Sequence, residues 1–302
     1  MKLIDGKQMA SDIKKEIAAK VAEMIDNDIP APHLAAILVG EDGASQTYVA
    51  AKEKDCKSVG MTSSIYRLPE ATTEDELLGT IDFLNQDDDV DGFIVQLPLP
   101  KHIDVDRVIG AIDPSKDVDG FHPQNVGKMT LGLPTYLPAT PYGIMELFER
   151  YDIDTAGKNC VVLGRSNIVG SPMSILMSRK GKPGNATVTL CHSRTENLKE
   201  VCAAADILIV ALGSPEFVTE EFVKDGAVVI DVGIHRVPSD KTKSGFKLIG
   251  DVKYDEVSKK ASAITPVPGG VGPMTRVGLL LNTMKSATGE VYQTERSKMR
   301  KK

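Results

Sequence analysis

Apolar residues at Met9, Ile13, Ile17, Val21, Met24 and Ile25 recur at helical spacing, so residues 7–27 are predicted to form a helix, closed by Pro30 and Pro32. Residues 34–39 are a continuous apolar run of strand length, the pattern of a buried strand. After the loop from Gly40, Ser45 reads as the N-cap of a second helix that ends near Gly60. Residues 63–68 read as a strand, 73–85 as a helix capped by Thr73, and 91–96 as a third strand. Strand and helix alternate, which predicts parallel βαβ units. Residues 121–140, with Pro123, Gly127, Gly132, Pro134 and Pro138, read as loop and as the domain boundary. Thr140 and Pro141 then read as an N-cap and a proline at N1, opening a helix over 142–151. A second αβ series follows: strand 160–163, a helix to Arg179, and strands 187–191, 206–212 and 227–232. Thr275 reads as the cap of a closing helix over 278–287, which is expected to pack back on the first domain. The fold class expected is α/β in two domains: 1–140 with 276–302, and a Rossmann-like domain over 141–275.

Composition narrows this picture without redirecting it. A chain of 302 residues is long enough for two domains and a sizeable core. The net charge of -6 argues against a surface built to hold nucleic-acid phosphates. The basic tail, 298–302, reads as a solvated terminus. Cys56, Cys160, Cys191 and Cys202 have no Cys-x-x-Cys spacing, which suggests neither zinc nor a redox pair and favours a reducing compartment. The N-terminus has no apolar leader stretch, and runs such as 207–212 are too short to span a bilayer. A cytoplasmic protein with no membrane or nucleic-acid partner is expected.

Candidate chemistry begins with Tyr48 and Lys52, which share a helix face if four residues apart on one helix. They could present a ring and an amine to a ligand, or be an ordinary half-buried Tyr and a Lys with its stem on apolar surface. The run Val95-Gln96-Leu97-Pro98-Leu99-Pro100 ends a strand in an amide and two prolines. Ligands gather at the carboxyl ends of strands in open α/β sheets, although a Gln there can equally be solvated. Asp113, Asp117 and Asp119 follow. They fit a solvated loop, or a metal site lacking a His or Glu in ligand spacing. They also fit a buried carboxylate accepting two bonds from an N–H beside an NH₂, the edge that pterins and guanines carry.

In the second series, a strand enters Gly164-Arg165-Ser166-Asn167-Ile168-Val169-Gly170 and then a helix. That arrangement favours phosphate, because free N–H groups and the helix dipole point the same way. Ser166 stands where the second glycine of G-x-G-x-x-G would be, and an ordinary turn uses the same pieces. The next strand ends in His192-Ser193-Arg194-Thr195, with no acid to hold the 2′-hydroxyl of NAD. Arg194, joined by Arg165, suits the 2′-phosphate of NADP, so NADP is predicted over NAD. Gly213 and Gly233 would allow close backbone approach to a cofactor, and Ile234 could pack on a nicotinamide face, although simple packing at a strand end would use the same residues. Residues 265–275 hold three glycines and three prolines, which makes a shaped loop.

Five stretches occur in order: Tyr48-x-x-x-Lys52, 95–100, Lys116-Asp117-Val118-Asp119-Gly120, Gly164-Arg165-Ser166-x-x-Val169-Gly170, and Pro268-Gly269-Gly270-Val271-Gly272-Pro273-Met274-Thr275. On these the chain strongly resembles the bifunctional methylenetetrahydrofolate dehydrogenase/methenyltetrahydrofolate cyclohydrolase (FolD) family over essentially its whole length. The resemblance implies that Lys52, Tyr48, Gln96 and Asp119 are catalytic, with Gln96 assisting the lysine and Asp119 holding the pterin. It implies that Tyr48, Lys52, Val95, Gln96, Leu97, Asp119, Pro268, Gly269, Gly270, Gly272, Pro273 and Thr275 contact the folate. It implies that Gly164, Arg165, Ser166, Ser193, Arg194 and Ile234 contact NADP, and that no metal is used. The first domain would be the folate-binding catalytic domain and the second the NADP domain, in a homodimer. Arg276 departs from some relatives, which have an apolar residue there.

The activity so implied has two steps. A hydride passes from the bridge of 5,10-methylenetetrahydrofolate to NADP, and water then opens the methenyl product to 10-formyltetrahydrofolate. Lys52 is the candidate acid/base for the second step, with burial beside a cationic substrate lowering its pKa. Two other readings use the same fold. One is an NADP-dependent dehydrogenase of another small molecule, such as a shikimate dehydrogenase. It leaves the 95–100 and 268–275 runs unexplained. The other is a silent dinucleotide-binding protein, which would be expected to lack Lys52 or Asp119.

Overall fold

The computed structural model describes residues 1–240, 242, 245–294 and 297–298. Along the chain come β1 (Lys2–Leu3), α1 (Gly6–Asp26), β2 (His33–Val39), α2 (Gly43–Ser58), β3 (Thr62–Leu68), α3 (Glu74–Gln86), β4 (Gly92–Val95), α4 (Val105–Ala111), α5 (Pro123–Thr130) and α6 (Ala139–Arg150). Then follow β5 (Asn159–Leu163), α7 (Gly170–Ser178), β6 (Thr187–Cys191), α8 (Leu198–Ala203), β7 (Ile207–Val210), β8 (Val228–Asp231), β9 (His235–Pro238), β10 (Phe246–Ile249), α9 (Tyr254–Val257), β11 (Ala263–Ile264) and α10 (Val271–Thr288). Two compact units result: Asp12–Ala139 with Arg276–Lys302, and Thr140–Thr275 with Met1–Ser11.

The first unit holds a parallel sheet in the order β3-β2-β4. Leu34 to Val39 are all buried, as a strand covered on both faces requires. Ala35, Ile37 and Val39 pack with Leu77, Ile81 and Leu84 of α3 and with Phe93 of β4. Helix α3 starts where Thr73 and Glu76 cap one another's backbone, a capping box that satisfies two otherwise unpaired N–H groups. The latter part of α10 belongs here too. Asn282 Nδ2 donates to the carbonyls of Val118 and Leu137, each at 2.8 Å, and Ser286 Oγ donates to the Asp91 carbonyl at 2.6 Å. The C-terminal helix therefore returns to the first domain.

The second unit holds a six-stranded parallel sheet in the order β1-β11-β8-β7-β5-β6. Val161 and Leu163 of β5, Leu208 and Val210 of β7, Val229 of β8 and Ile264 of β11 form its core. This is the doubly wound arrangement expected of a Rossmann-like domain. Strands β9 and β10 form an antiparallel ribbon beside it.

Five local expectations need correction. The N-cap of α2 is Asp42, whose carboxylate accepts from Ser45 N at 2.7 Å, so Ser45 lies inside the helix. Thr140 and Thr275 also lie inside their helices, α6 and α10, and their hydroxyls bond each other at 2.9 Å. Residues 121–140 are not all loop: α5 starts with Pro123 at its first turn, and His122 Nδ1 caps it by accepting from Gln124 N at 3.0 Å. Residues 1–11, expected in the first domain, fall in the second unit, because Lys2 and Leu3 pair with Ala263 and Ile264 at the sheet edge. Helix α4, capped by Asp104, was not read from the sequence at all. The expectation for the tail falls mostly outside the described residues.

Candidate active site

In the first unit, β2 is flanked by β3 on one side and β4 on the other, so chain order reverses between β2 and β4. Crevices at the carboxyl ends of strands open at such a reversal. Helix α2 starts beyond the end of β2, and Gln96 follows β4. Tyr48 and Lys52 lie one turn apart on α2, with Tyr48 37% exposed. Lys52 Nζ donates to Gln96 Oε1 at 3.1 Å. Gln96 Nε2 donates to the Leu97 carbonyl at 2.6 Å, which fixes the amide with its oxygen towards the lysine.

The stretch 116–120 extends the same sheet, since Phe93 of β4 bridges in parallel to Asp117 and its N–H donates to the Lys116 carbonyl at 2.9 Å. Its residues divide the work. Lys116 Nζ donates to the carbonyls of Leu84 at 2.8 Å and Asp87 at 2.6 Å, tying the stretch to the end of α3. Asp117 accepts from the N–H groups of Gly120, Phe121 and His122 and from Asn125 Nδ2, over 2.8–3.2 Å. Burial pushes its pKa up to about 7, against the pull of those donors. Val118 is in the core. Gly120 has φ +76, and a Cβ there would stand 2.5 Å from the Leu137 carbonyl carbon. Asp119 is what this scaffold leaves over. Its carboxylate has no hydrogen-bond donor among the described residues, burial raises its pKa, and the Lys52 charge opposes that rise. Burial likewise lowers the pKa of Lys52, whose ammonium is desolvated although the residue as a whole is half-exposed.

One residue the sequence did not single out sits beside them. Asp55, three positions after Lys52 on α2, is buried and accepts from Lys14 Nζ of α1 at 2.9 Å and from Arg276 Nε of α10. Helical spacing from Lys52 was the available signal.

In the second unit, chain order reverses between β5 and β7. Gly164 ends β5 with φ +113, and a Cβ there would meet the Ala211 carbonyl oxygen at 2.1 Å. Ser166 braces the turn into α7, whose N-cap is Val169: its hydroxyl accepts from Val169 N at 3.2 Å and Gly170 N at 3.5 Å, and its carbonyl accepts from Ser171 N at 3.0 Å. The N–H groups without a protein acceptor among the described residues are therefore those of residues 165–168, in the loop rather than in the helix. Ser193 and Arg194 are exposed beyond β6, in a turn held by His192 N donating to Thr195 Oγ1 at 2.9 Å. Ile234 is 44% exposed after β8. This donor set of loop N–H groups with Arg165 and Arg194 fits a phosphorylated dinucleotide.

Asp251 was also missed. Fully buried, it accepts from the N–H groups of Leu212, Gly213 and Ser214 over 2.7–3.0 Å and from His235 Nε2 at 2.7 Å. It thereby shapes the turn beyond β7. Asp231 accepts from the N–H groups of Gly233, Asp251 and Val252, each at 3.0 Å, and burial pushes its pKa up to about 7. An isolated acid inside the apolar stretch 248–252 was the only clue to Asp251. Residues 268–275 lie in this unit, with the Gly269 carbonyl accepting from Lys7 N at 2.8 Å. Among the described residues, no group of three or more His, Cys, Asp or Glu side chains is placed to hold a metal ion.

Comparison with known proteins decides the family. The catalytic-domain profile of the tetrahydrofolate dehydrogenase/cyclohydrolase family matches residues 4–119, and its NAD(P)-binding-domain profile matches residues 138–291. The chain belongs to the tetrahydrofolate dehydrogenase/cyclohydrolase family. A member from Bacteroides fragilis, the bifunctional protein FolD, is 62% identical over 293 residues, covering 97% of this chain and 100% of that protein. The crystal structure of the bifunctional FolD methylenetetrahydrofolate dehydrogenase/cyclohydrolase of Campylobacter jejuni is 48% identical, with a TM-score of 0.90 over 96% of this chain and 99% of that one. The Trypanosoma brucei member of the family, solved with NADP cofactor and an inhibitor, is 37% identical, with a TM-score of 0.90 over 96% of this chain and 98% of that one.

Proposed function

We propose that this chain oxidises 5,10-methylenetetrahydrofolate with NADP and hydrolyses the methenyl product to 10-formyltetrahydrofolate. Its place in the tetrahydrofolate dehydrogenase/cyclohydrolase family supports both activities and NADP as the cofactor. The observation that carries the chemistry is the pairing of Lys52 with Gln96 on the sheet edge that also bears Asp119. Another small-molecule dehydrogenase or a silent binding protein is not favoured.

NADP, when bound, accepts the hydride from the one-carbon bridge. That step needs alignment rather than a strong base, because the cation left behind is stabilised by resonance. Hydrolysis does need proton transfer. Water adds to the methenyl carbon, and one of its protons passes to Lys52 Nζ. The carbon–N5 bond then breaks, N5 takes a proton from Lys52, and the remaining hydroxyl proton leaves to solvent as the formyl group forms. Gln96 Oε1 positions the amine, and Tyr48 offers a ring to stack on the folate. Asp119, whose carboxylate has no donor among the described residues, accepts from the pterin's N–H and NH₂. Val95, Leu97 and residues 268–275 are assigned folate contacts. Gly164, Arg165, Ser166, Ser193, Arg194 and Ile234 are assigned to NADP. In this reading the folate-binding catalytic domain is 12–139 with 276–302, and the cofactor domain is 140–275 with 1–11. A homodimer in the cytoplasm without nucleic-acid or membrane partners belongs to the same proposal.

The test is spectrophotometric. Purified protein is given 5,10-methylenetetrahydrofolate with NADP or NAD, following reduced cofactor, and separately methenyltetrahydrofolate, following its decay. Both signals with NADP preferred are expected. Hydride transfer without hydrolysis would remove the role given to Lys52, and a preference for NAD of about tenfold or more would remove that given to Arg194.

A further inference from the structure

Helices α1, α2 and α10 meet at one carboxylate. Asp55 accepts from both Lys14 Nζ and Arg276 Nε. Two cations on one anion leave a surplus positive charge, and it sits one helical turn from Lys52. Only one of the five donors of Arg276 is used here, so the guanidinium is anchored by Nε alone among the described residues.

The charged and titratable groups around Lys52 come from every element packed near it. Asp119 in the stretch beyond β4 and Cys56 on its own helix favour the charged form of Lys52, and Arg276 of α10 disfavours it. Gln96 contributes a neutral oxygen. Burial pushes the Cys56 thiol up to about 12, so that group is neutral. Glu53 is engaged by Lys57 at 2.7 Å. Asp55 carries one negative charge against two positive ones, so the Lys14–Asp55–Arg276 cluster is net positive. What remains is a contest between Asp119, which favours ammonium, and this cluster, of which Arg276 favours free amine. A pterin on Asp119 would weaken the first contestant.

Resting on the assignment of Lys52 as the hydrolytic base, we propose that Arg276 is a positioning residue which supplies a fixed positive charge, anchored through Asp55 and Lys14, that favours the proton-free form of the Lys52 amine before water adds. Desolvation and Arg276 both act in this direction on Lys52. The charge of Arg276 matters, and its hydrogen bond to Asp55 serves to hold that charge in place.

The experiment is the pH–rate profile of methenyltetrahydrofolate hydrolysis for wild type, Arg276→Gln and Arg276→Lys. Glutamine can keep a bond to Asp55 without the charge, and lysine keeps the charge. Losing the charge lets the Lys52 pKa rise, so the acid limb in Arg276→Gln should move up by roughly 0.5–1 pH unit. Arg276→Lys should restore the wild-type limb, and the pH profile of hydride transfer should stay put in all three. An unmoved acid limb in Arg276→Gln overturns the proposal. So does a raised KM for the folate with an unmoved limb, which would make Arg276 a substrate contact. If Arg276→Gln does not fold, as judged by thermal unfolding, Lys14→Gln takes its place. It removes the surplus charge at a half-exposed position and should move the limb the same way by roughly 0.2–0.5 unit; no movement overturns the proposal. Lys52→Met separates the two ideas: if it leaves hydrolysis intact, the base assignment fails. If it abolishes hydrolysis while the limb of Arg276→Gln stays put, only the present inference fails.

Discussion

The two carboxyl edges of this molecule are built alike and furnished differently. Each lies where chain order reverses in a parallel sheet, between β2 and β4 in one unit and between β5 and β7 in the other. The first edge presents side chains: Lys52 bonded to Gln96, and Asp119, whose carboxylate has no donor among the described residues. The second presents backbone N–H groups of residues 165–168, with Asp251 shaping the neighbouring turn. The difference fits the roles proposed for the two edges. A phosphate asks for many weak donors in a fixed shell, which main chain supplies at no side-chain entropy cost. Proton transfer asks for one group with a displaced pKa, which only a buried side chain supplies.

The contrast breaks most sharply at Lys52. Lys52→Met should lower methenyltetrahydrofolate hydrolysis roughly 10²–10⁴-fold while damaging hydride transfer much less, as parallel assays of one preparation will show. Equal losses would mean that this edge works through shape rather than through a proton. Asp119→Ala should cost about 1–3 kcal/mol of folate affinity, because two pterin donors lose their acceptor, with NADP affinity unchanged. Fluorescence titration with each ligand checks this. Gly164→Ala puts a methyl against the Ala211 carbonyl at a positive φ, with a cost of about 1–3 kcal/mol. It should lower the melting temperature and weaken NADP binding roughly tenfold, while hydrolysis without NADP continues. The smallest effect is expected from Arg194→Ala. That side chain is exposed, so screening limits the loss of NADP over NAD preference to roughly threefold to tenfold in kcat/KM.

What could be read ahead of the structure follows the same divide. The buried strands were legible because continuous apolar runs leave little choice, and β6 matches its expected limits, 187–191. Thr73 was legible as a cap because its partner Glu76 is three residues away. Thr140 and Thr275 misled because each looks like a cap locally, while its hydroxyl partner is 135 residues distant. Helix α5 was hidden by Pro123 and Gly127, residues read as loop markers, although proline suits a first turn. At the sites, Lys52 and Gln96 stood in recognisable runs. Asp55 and Asp251 did not, since their work is defined by partners brought from elsewhere in the chain.

Asn282 also bears on how the protein is made. The segments carrying Lys52, Gln96 and Asp119 are translated early, yet the carbonyls of Val118 and Leu137 accept from Asn282, far later in the chain. At roughly 5–20 residues per second, the ribosome takes about 7–30 s to travel from the end of that segment to α10. Throughout that interval the first unit lacks its closing helix, while strands β5 to β8 and β11 of the other unit's sheet emerge behind it. The half that is read first is therefore finished last, and a ribosome that stalls before α10 leaves Lys52, Gln96 and Asp119 without the helix that completes their unit.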